Sequence, residues 1–349
     1  MPRRSLAWNR PELPDTDTRH YCGTGKGKDL KTISILDLVH EELQRVEQKM
    51  REASQVEYEH LAAVLDDLLK SGGKRLRPAL VLLSSKFYPA DPEKTISLAA
   101  SVEMLHTATL VHDDMVDNSL VRRGNPTLNA TWNSGATVLA GDFLFALAAG
   151  LAAETENVRV MSIFAQGLMT ICSGELRQIF NSRGRLPSRE EYYQRIYSKT
   201  ASLFAASMEA GAVLSGAPEP QVQALREYGR TLGMAFQIVD DVLDFVGDER
   251  ELGKPVGSDL RQGIVTLPAL YFHEMPTADD TLIKVLNDPS EEEVKAVVAA
   301  IRESGAVESA LDEARTFAQR SQESLQILPH NEYRQAMLDL ADYVVERRW

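Results

Sequence analysis

The sequence predicts an all-α fold in one domain, and three observations carry that expectation. From about Ile33 onward apolar residues recur at spacings of three and four, in segments dominated by Ala, Leu, Glu, Gln and Arg. Alternating strand patterns are almost absent. No linker rich in Gly, Ser or Pro divides the chain after residue 31, so residues 31–349 read as a single domain.

The elements follow in order. Helices are expected over roughly 33–53, 56–70, 76–87, 93–118, 135–153, 157–183, 188–214 and 218–246. Shorter ones are expected near 267–273, 279–287, 291–303, 306–326 and 331–348. Gly72-Gly73, Pro89 to Pro92, Gly124-Asn125-Pro126, Pro187-Ser188 and Pro218 to Pro220 break the pattern. Ser188 with Glu191 has the spacing of a capping box. Helices 93–118 and 135–153 are apolar on nearly every side, as suits the centre of a bundle. Residues 1–30 are polar, rich in Pro, Gly and charge, and aperiodic, which predicts a disordered extension. Arg3-Arg4 lacks the apolar core of an export signal.

With 349 residues, 44% hydrophobic and 26% charged, the chain has the make-up of a soluble globular protein. A net charge of −13 disfavours nucleic acid as a partner, since phosphates would be repelled. Only Cys22 and Cys172 are present, which fits a reducing, cytoplasmic setting rather than a disulfide framework. No apolar run is expected to reach the roughly 20 residues of a membrane span.

The chemistry is announced by acid in apolar company. In "LVHDDMVDNSL" Asp113 and Asp117 share a helix face, Asp114 stands between them, and His106 lies on nearly the same line. "FQIVDDVLDF" repeats the arrangement with Gln237, Asp240, Asp241 and Asp244. One such DDxxD is commonly a solvated acidic face, but two with apolar flanks are not explained that way. Like charges at four-residue spacing repel, and in an apolar setting they need a partner or a proton. Facing one another, the clusters would form a cage of hard oxygen ligands suited to Mg²⁺, which is usually shared with substrate phosphates. Cations surround the clusters: Lys74, Arg75 and Arg77 in "GGKRLRP", Arg122 and Arg123 in "RRG", Lys199 in "SKT", and Lys254 in "GKPVGSD". Arginine suits bidentate phosphate recognition. Each basic stretch alone is weak, and their order around the acidic clusters gives them weight.

Taken jointly, GGKRLRP, HTATLVHDDMVD…RRG, GDFL, SKT, FQIVDDVLD and GKPVGSD…TLP resemble the trans-polyprenyl diphosphate synthases, over roughly residues 31–349. The resemblance implies mostly antiparallel helices around a deep central cavity, a homodimer, and about three Mg²⁺ ions per site. It implies condensation of isopentenyl diphosphate with an allylic diphosphate, with Asp113, Asp117, Lys199 and Asp240 central to catalysis. Asp113, Asp117, Asp240 and Asp241 would hold metal, with Asp114 and Asp244 as supports or secondary ligands. Arg122, Lys199, Thr200, Gln237 and Lys254 would contact the allylic diphosphate, and Lys74, Arg77, His106 and Arg123 the isopentenyl diphosphate. One departure is Ile264 before TLP, where many relatives have a lysine; Arg261 could supply its contact. The small Ala108 and Thr109, one to two turns before Asp113, would leave a product tunnel open past Met104, with Phe164 a candidate floor. That favours a long product (about six to ten isoprene units) over C15 or C20, Ala108 lying five residues before Asp113 and so about 7.5 Å back along the axis at helical rise.

Three rivals remain at this point. A class I terpene cyclase would share one DDxxD but would have no use for GGKRLRP. An HD-type phosphohydrolase, suggested by His112-Asp113, leaves the second cluster unexplained. A silent regulatory subunit would normally have lost part of one cluster.

Overall fold

Several helices begin where a side chain takes over amides that the first turn leaves without partners, as at Asp91, Thr127, Asn133, Ser188, Ser290 and Asn331. The computed structural model describes residues 36–70, 73–122, 124–181, 185–247, 255–275, 281–287 and 290–347. The N-terminal extension expected to be disordered, and with it Arg123 and Lys254, lie outside them.

Helix α1 spans His40–Ala53, α2 Glu59–Lys70, α3 Leu76–Ser85 and α4 Pro92–Val116. Asp91 caps α4 by accepting from the Glu93 and Lys94 amides, with Pro92 in the first turn. Asn133 caps α6, which follows the four-residue α5, Leu128–Thr131. Next come α6 (Ser134–Ala153), α7 (Val158–Asn181) and α8 (Arg189–Ile196), the last opened by the Ser188–Glu191 capping box expected from the sequence. After α9 (Ser202–Leu214) and α10 (Glu219–Val246) come the short α11 (Ser258–Arg261) and α12 (Leu267–His273). Helices α13 (Thr281–Asn287), α14 (Glu291–Glu303), α15 (Ala306–Ser324) and α16 (Glu332–Glu346) complete the bundle.

Two differences from the sequence reading matter. The helix expected over 188–214 is interrupted by a π-helical segment, Tyr197–Ala201. The chain also forms a short hairpin after α4, Val121–Arg122 paired antiparallel with Asn125–Pro126, in which Gly124 takes φ 79°.

Helix α4 packs most extensively on α6, and α10 on α15 and α9; α3 lies against α9. On α4 the chain from Thr95 to Leu105 is buried throughout, which explains why its apolar residues show no single face. The expectation that no segment has the length and hydropathy of a membrane span is corrected by α6. It is 20 residues long, and its most apolar 18 residues have a mean hydropathy of 1.8. It belongs instead to the helical bundle, where Ser101 Oγ on α4 donates to Ala148 O at 2.7 Å. Gly141 on α6 is required for this approach: a Cβ there would stand 2.2 Å from His112 Nε2 on α4.

Candidate active site

The last turn of α4 presents Asp113 and, as its C-cap residue, Asp117. Asp113 is largely buried and Asp117 exposed, so the cluster sits at a rim between core and solvent. Between them Asp114 turns away, accepting from Arg122 Nε at 2.8 Å across the hairpin. Arg122 thereby neutralises Asp114 and fixes the hairpin to α4. His112 points to α6, with Nε2 at 3.1 Å from Val138 O and 3.6 Å from Asp142. That geometry does not support an HD-type centre, since His112 is held on α6 rather than beside Asp113.

Lys199 meets the first cluster from the π-helical segment. Its Nζ lies 3.0 Å from Glu175 Oε1 on α7 and 3.8 Å from Asp113 Oδ2. An inserted residue in a π-turn redirects the side chains that follow. Beside Lys199, the buried Thr200 donates to Gln237 Oε1 on α10 at 2.6 Å. Gln237 Nε2 donates in turn to Asp241 Oδ1 at 2.8 Å. One turn of the chain therefore ties both acidic clusters together.

The second cluster is not a copy of the first. Asp240 is half-buried and ion-paired with Arg347 Nη2 at 2.7 Å. Asp241 is buried, and its other oxygen accepts from Tyr192 OH at 2.8 Å. Asp244 is buried as well and accepts from the Asp259 amide at 3.1 Å. Asp241 and Asp244 thus take part in the frame between α8, α10 and the 255–259 stretch. Gln237 and Thr200, expected at the allylic diphosphate, likewise spend their polar groups on this frame.

Electrostatics follow burial. Removal from water pushes the Asp113 carboxyl up to about 6; Lys199 opposes the rise, while Glu175 and Asp117 add to it. Burial raises Asp241 also, with the nearby Asp259 adding to the effect. For Lys199 burial acts downward, yet Asp113 and Glu175 outweigh it and hold the ammonium charged.

The donor set is hard oxygen throughout, which suits Mg²⁺. Among the described residues, however, no three His, Cys, Asp or Glu side chains converge as a ready-made metal group. The cage expected from sequence is therefore open: Asp113 with Asp117 on one helix, Asp240 on another. An ion held there needs further oxygens from water and phosphate, which is how Mg²⁺ is commonly bound.

The basic residues divide in the same way. Lys74 Nζ lies 3.1 Å from Tyr343 OH, and the Arg77 guanidinium lies over the Phe204 ring. Arg75 is structural: it pairs with the buried Glu103 at 2.7 Å and donates to Leu69 O, with its own φ at 48°. Arg261 is engaged by Glu291, at 3.1 and 3.0 Å, and by Val256 O, so a role replacing the missing lysine at Ile264 has no geometric support. His106 is half-buried on α4, Ala108 fully buried, and Thr109 returns its hydroxyl to His106 O at 2.7 Å. Phe164 is half-buried on α7.

Sequence reasoning missed Glu175, Tyr192, Tyr343 and Arg347. Arg347 is the least visible of these: it follows α16, has a 6% exposed side chain, lies over the Phe236 ring and reaches Asp240 from the far end of the chain. Only the four-residue spacing of Tyr343 and Arg347, which puts both on one helical face, was available as a signal.

The polyprenyl synthetase family model matches residues 58–303, which span both clusters. The chain belongs to the polyprenyl synthetase family. Among relatives, the heptaprenyl diphosphate synthase component 2 of Geobacillus stearothermophilus is 38% identical over 318 residues, covering 91% of this chain and 99% of that one. The octaprenyl diphosphate synthase of Haemophilus influenzae is 35% identical over 328 residues, 93% of this chain and 100% of the relative. The crystal structure of polyprenyl synthase from Caulobacter crescentus, complexed with calcium and isoprenyl diphosphate, superposes with a TM-score of 0.84 at 36% identity, covering 91% and 98% of the two chains. As a member of this family the protein is a prenyltransferase of all-α isoprenoid synthase fold. Its two acidic helices, α4 and α10, are those that the geometry brings together.

Proposed function

We propose that this polyprenyl synthetase is a Mg²⁺-dependent long-chain synthase, condensing isopentenyl diphosphate repeatedly onto an allylic diphosphate. The observation that carries the reading is the Lys199–Thr200 turn, which reaches Asp113 on α4 through Lys199 and, through Thr200 and Gln237, Asp241 beside Asp240 on α10. Asp113, Asp117 and Asp240 would hold the metal, which when bound neutralises charge developing on the departing diphosphate. Lys199 adds a fixed cation beside Asp113, where electrostatic preorganisation is worth most. The buried faces of α4 and α10 exclude water that would otherwise capture an allylic cation. Lys74 and Arg77, on the first turn of α3 and just before it, are assigned to isopentenyl diphosphate, together with His106; Arg123 and Lys254 keep their expected phosphate roles.

The small Ala108 supports a long product, since its own side chain at that level of α4 is a single methyl group. Incubation with both diphosphates and Mg²⁺, followed by chromatography of the dephosphorylated products, tests the reading. Products ending at C15 or C20 would overturn the long-chain assignment, and absence of any condensation would overturn the rest. In Ala108→Phe, a shift to shorter products with the first condensation intact is expected.

The working form is a homodimer. Leu139 on α6 and Met169, Leu176 and Phe180 on α7 are all exposed, and the α7 residues fall on one helical face. Large apolar side chains exposed on one helical face in this way suit an interface. The "component 2" relative belongs by its name to a multi-component synthase, so a second component is the rival occupant of this face. Light scattering of the purified chain decides: a monomer would favour that rival. A cytoplasmic location agrees with the free Cys172 thiol.

A further inference from the structure

We propose that Glu175 is a positioning residue: it draws Lys199 away from Asp113 and so keeps that carboxylate open to the cation that carries the allylic diphosphate. The proposal rests on the reading of Asp113 and Asp117 as metal ligands.

The conflict it resolves is local. An ammonium closed on Asp113 would take up one of its oxygens and offset its charge, weakening it as a ligand for a divalent cation, and Lys199 reaches within 3.8 Å of it. Lys199 is nevertheless closer to Glu175, at 3.0 Å. Both carboxylates have side chains only 19% exposed, so neither interaction is drowned by solvent as a surface pair would be.

The placement is built by the backbone rather than by a swinging side chain. Helix α7 meets the π-helical segment at Gly174, where an added Cβ would stand 2.4 Å from Ser198 Cβ. Only a residue without a side chain allows that approach. Glu175, next in sequence, is thereby set against Lys199, next after Ser198. The π-turn and the glycine contact are two independent devices that converge on one ion pair. Their combined effect is to fix the ammonium between α4 and α7, biased toward α7. Once the Glu175 charge is removed, the carboxylates remaining near Lys199 are Asp113 and Asp117. The ammonium should then close on Asp113 and mask it.

Calorimetric titration of inorganic diphosphate in the presence of Mg²⁺ tests this without turnover. Glu175→Gln, which keeps size and polarity, should weaken binding about tenfold, an ordinary coupling for groups in contact. Glu175→Asp should recover part of the loss. In the Lys199→Met background the Glu175→Gln change should cost nothing further, because no ammonium remains to be misplaced. In steady-state kinetics Glu175→Gln should raise KM for the allylic diphosphate and leave KM for isopentenyl diphosphate unchanged. Thermal midpoints within a few degrees of wild type would show that the variants fold. An equal loss in both backgrounds would overturn the proposal, since Glu175 would then act on the cation directly. Unchanged binding in Glu175→Gln would overturn it as well. Asp113→Ala separates the two levels: if it binds like wild type, the metal assignment itself fails, whereas loss there with no loss in Glu175→Gln defeats the positioning role alone.

Discussion

The two DDxxD clusters have the same letters and opposite environments. On α4 the last aspartate is exposed, the first lies at the rim beside Lys199 and the middle one is consumed by Arg122; on α10 the first is half-buried, and the other two are buried in hydrogen bonds to Gln237, Tyr192 and the Asp259 amide. The difference comes from where each motif sits. Asp117 is the C-cap of α4, so its cluster lies where the helix leaves the core. The α10 cluster lies within the final two turns of its helix, with α8 and the 255–259 stretch supplying donors to its inner side. A motif therefore states which atoms are available, and packing states which of them remain free.

The largest effect expected from this contrast is catalytic. Asp113→Ala and Asp240→Ala should each lower kcat by roughly 10²–10³-fold or more, as loss of transition-state charge stabilisation does. Circular dichroism should show both folded. If Asp114→Ala or Asp244→Ala were equally damaging to turnover in a folded, stable protein, the division into open and framing carboxylates would fail.

Next comes pH. The Asp113 carboxyl, raised to about 6, must lose its proton before a cation can use it. Mg²⁺-dependent diphosphate binding should therefore weaken as pH falls through 6, by about tenfold per unit well below it. The stability of the protein without ligands has the reverse sign. An acid whose folded value lies above its ordinary one takes up its proton first in the folded state, so stability falls as pH rises across that window. Lys199→Met removes the cation that opposes the shift and should move the binding midpoint to higher pH. A midpoint that fails to move would place Lys199 outside the electrostatics of the first cluster.

Stability separates the framing residues. Asp241→Ala leaves the buried Tyr192 hydroxyl and the Gln237 amide without their acceptor, a loss of about 1–3 kcal/mol in urea denaturation. Tyr192→Phe should account for part of that loss and be non-additive with it, since the two share one hydrogen bond. The smallest effect is expected at Asp114. Its partner Arg122 is 41% exposed, so Asp114→Asn should cost at most about 1 kcal/mol and change turnover only a few-fold.

Much of this was legible in the sequence. Helical periodicity and break residues located most of the long helices to within a few residues, with α1, expected from 33 and found from His40, an exception; side-chain caps mark some of the termini, as at Asp91, Asn133 and Ser188. The π-helical interruption at Tyr197–Ala201 was not legible, since YSKTA has an ordinary helical composition and the extra residue is tolerated through contacts with α7 and α10. The reading of α6 failed for a related reason. Local hydropathy cannot tell a membrane span from a bundle helix whose burial is provided by α4.

By itself the sequence determined the fold class, the two acidic helices, the family and the set of candidate phosphate-binding cations, because period, charge and motif spacing are properties of neighbouring residues. Which aspartates stay open, where Lys199 points, and that Glu175 and Arg347 belong to the site were decided only by tertiary structure. Those facts depend on contacts between residues 24 to 107 positions apart, as in Glu175 with Lys199 and Asp240 with Arg347. No local pattern encodes such distances; they are set when helix packing, at points such as Gly174 and Gly141, brings backbones together.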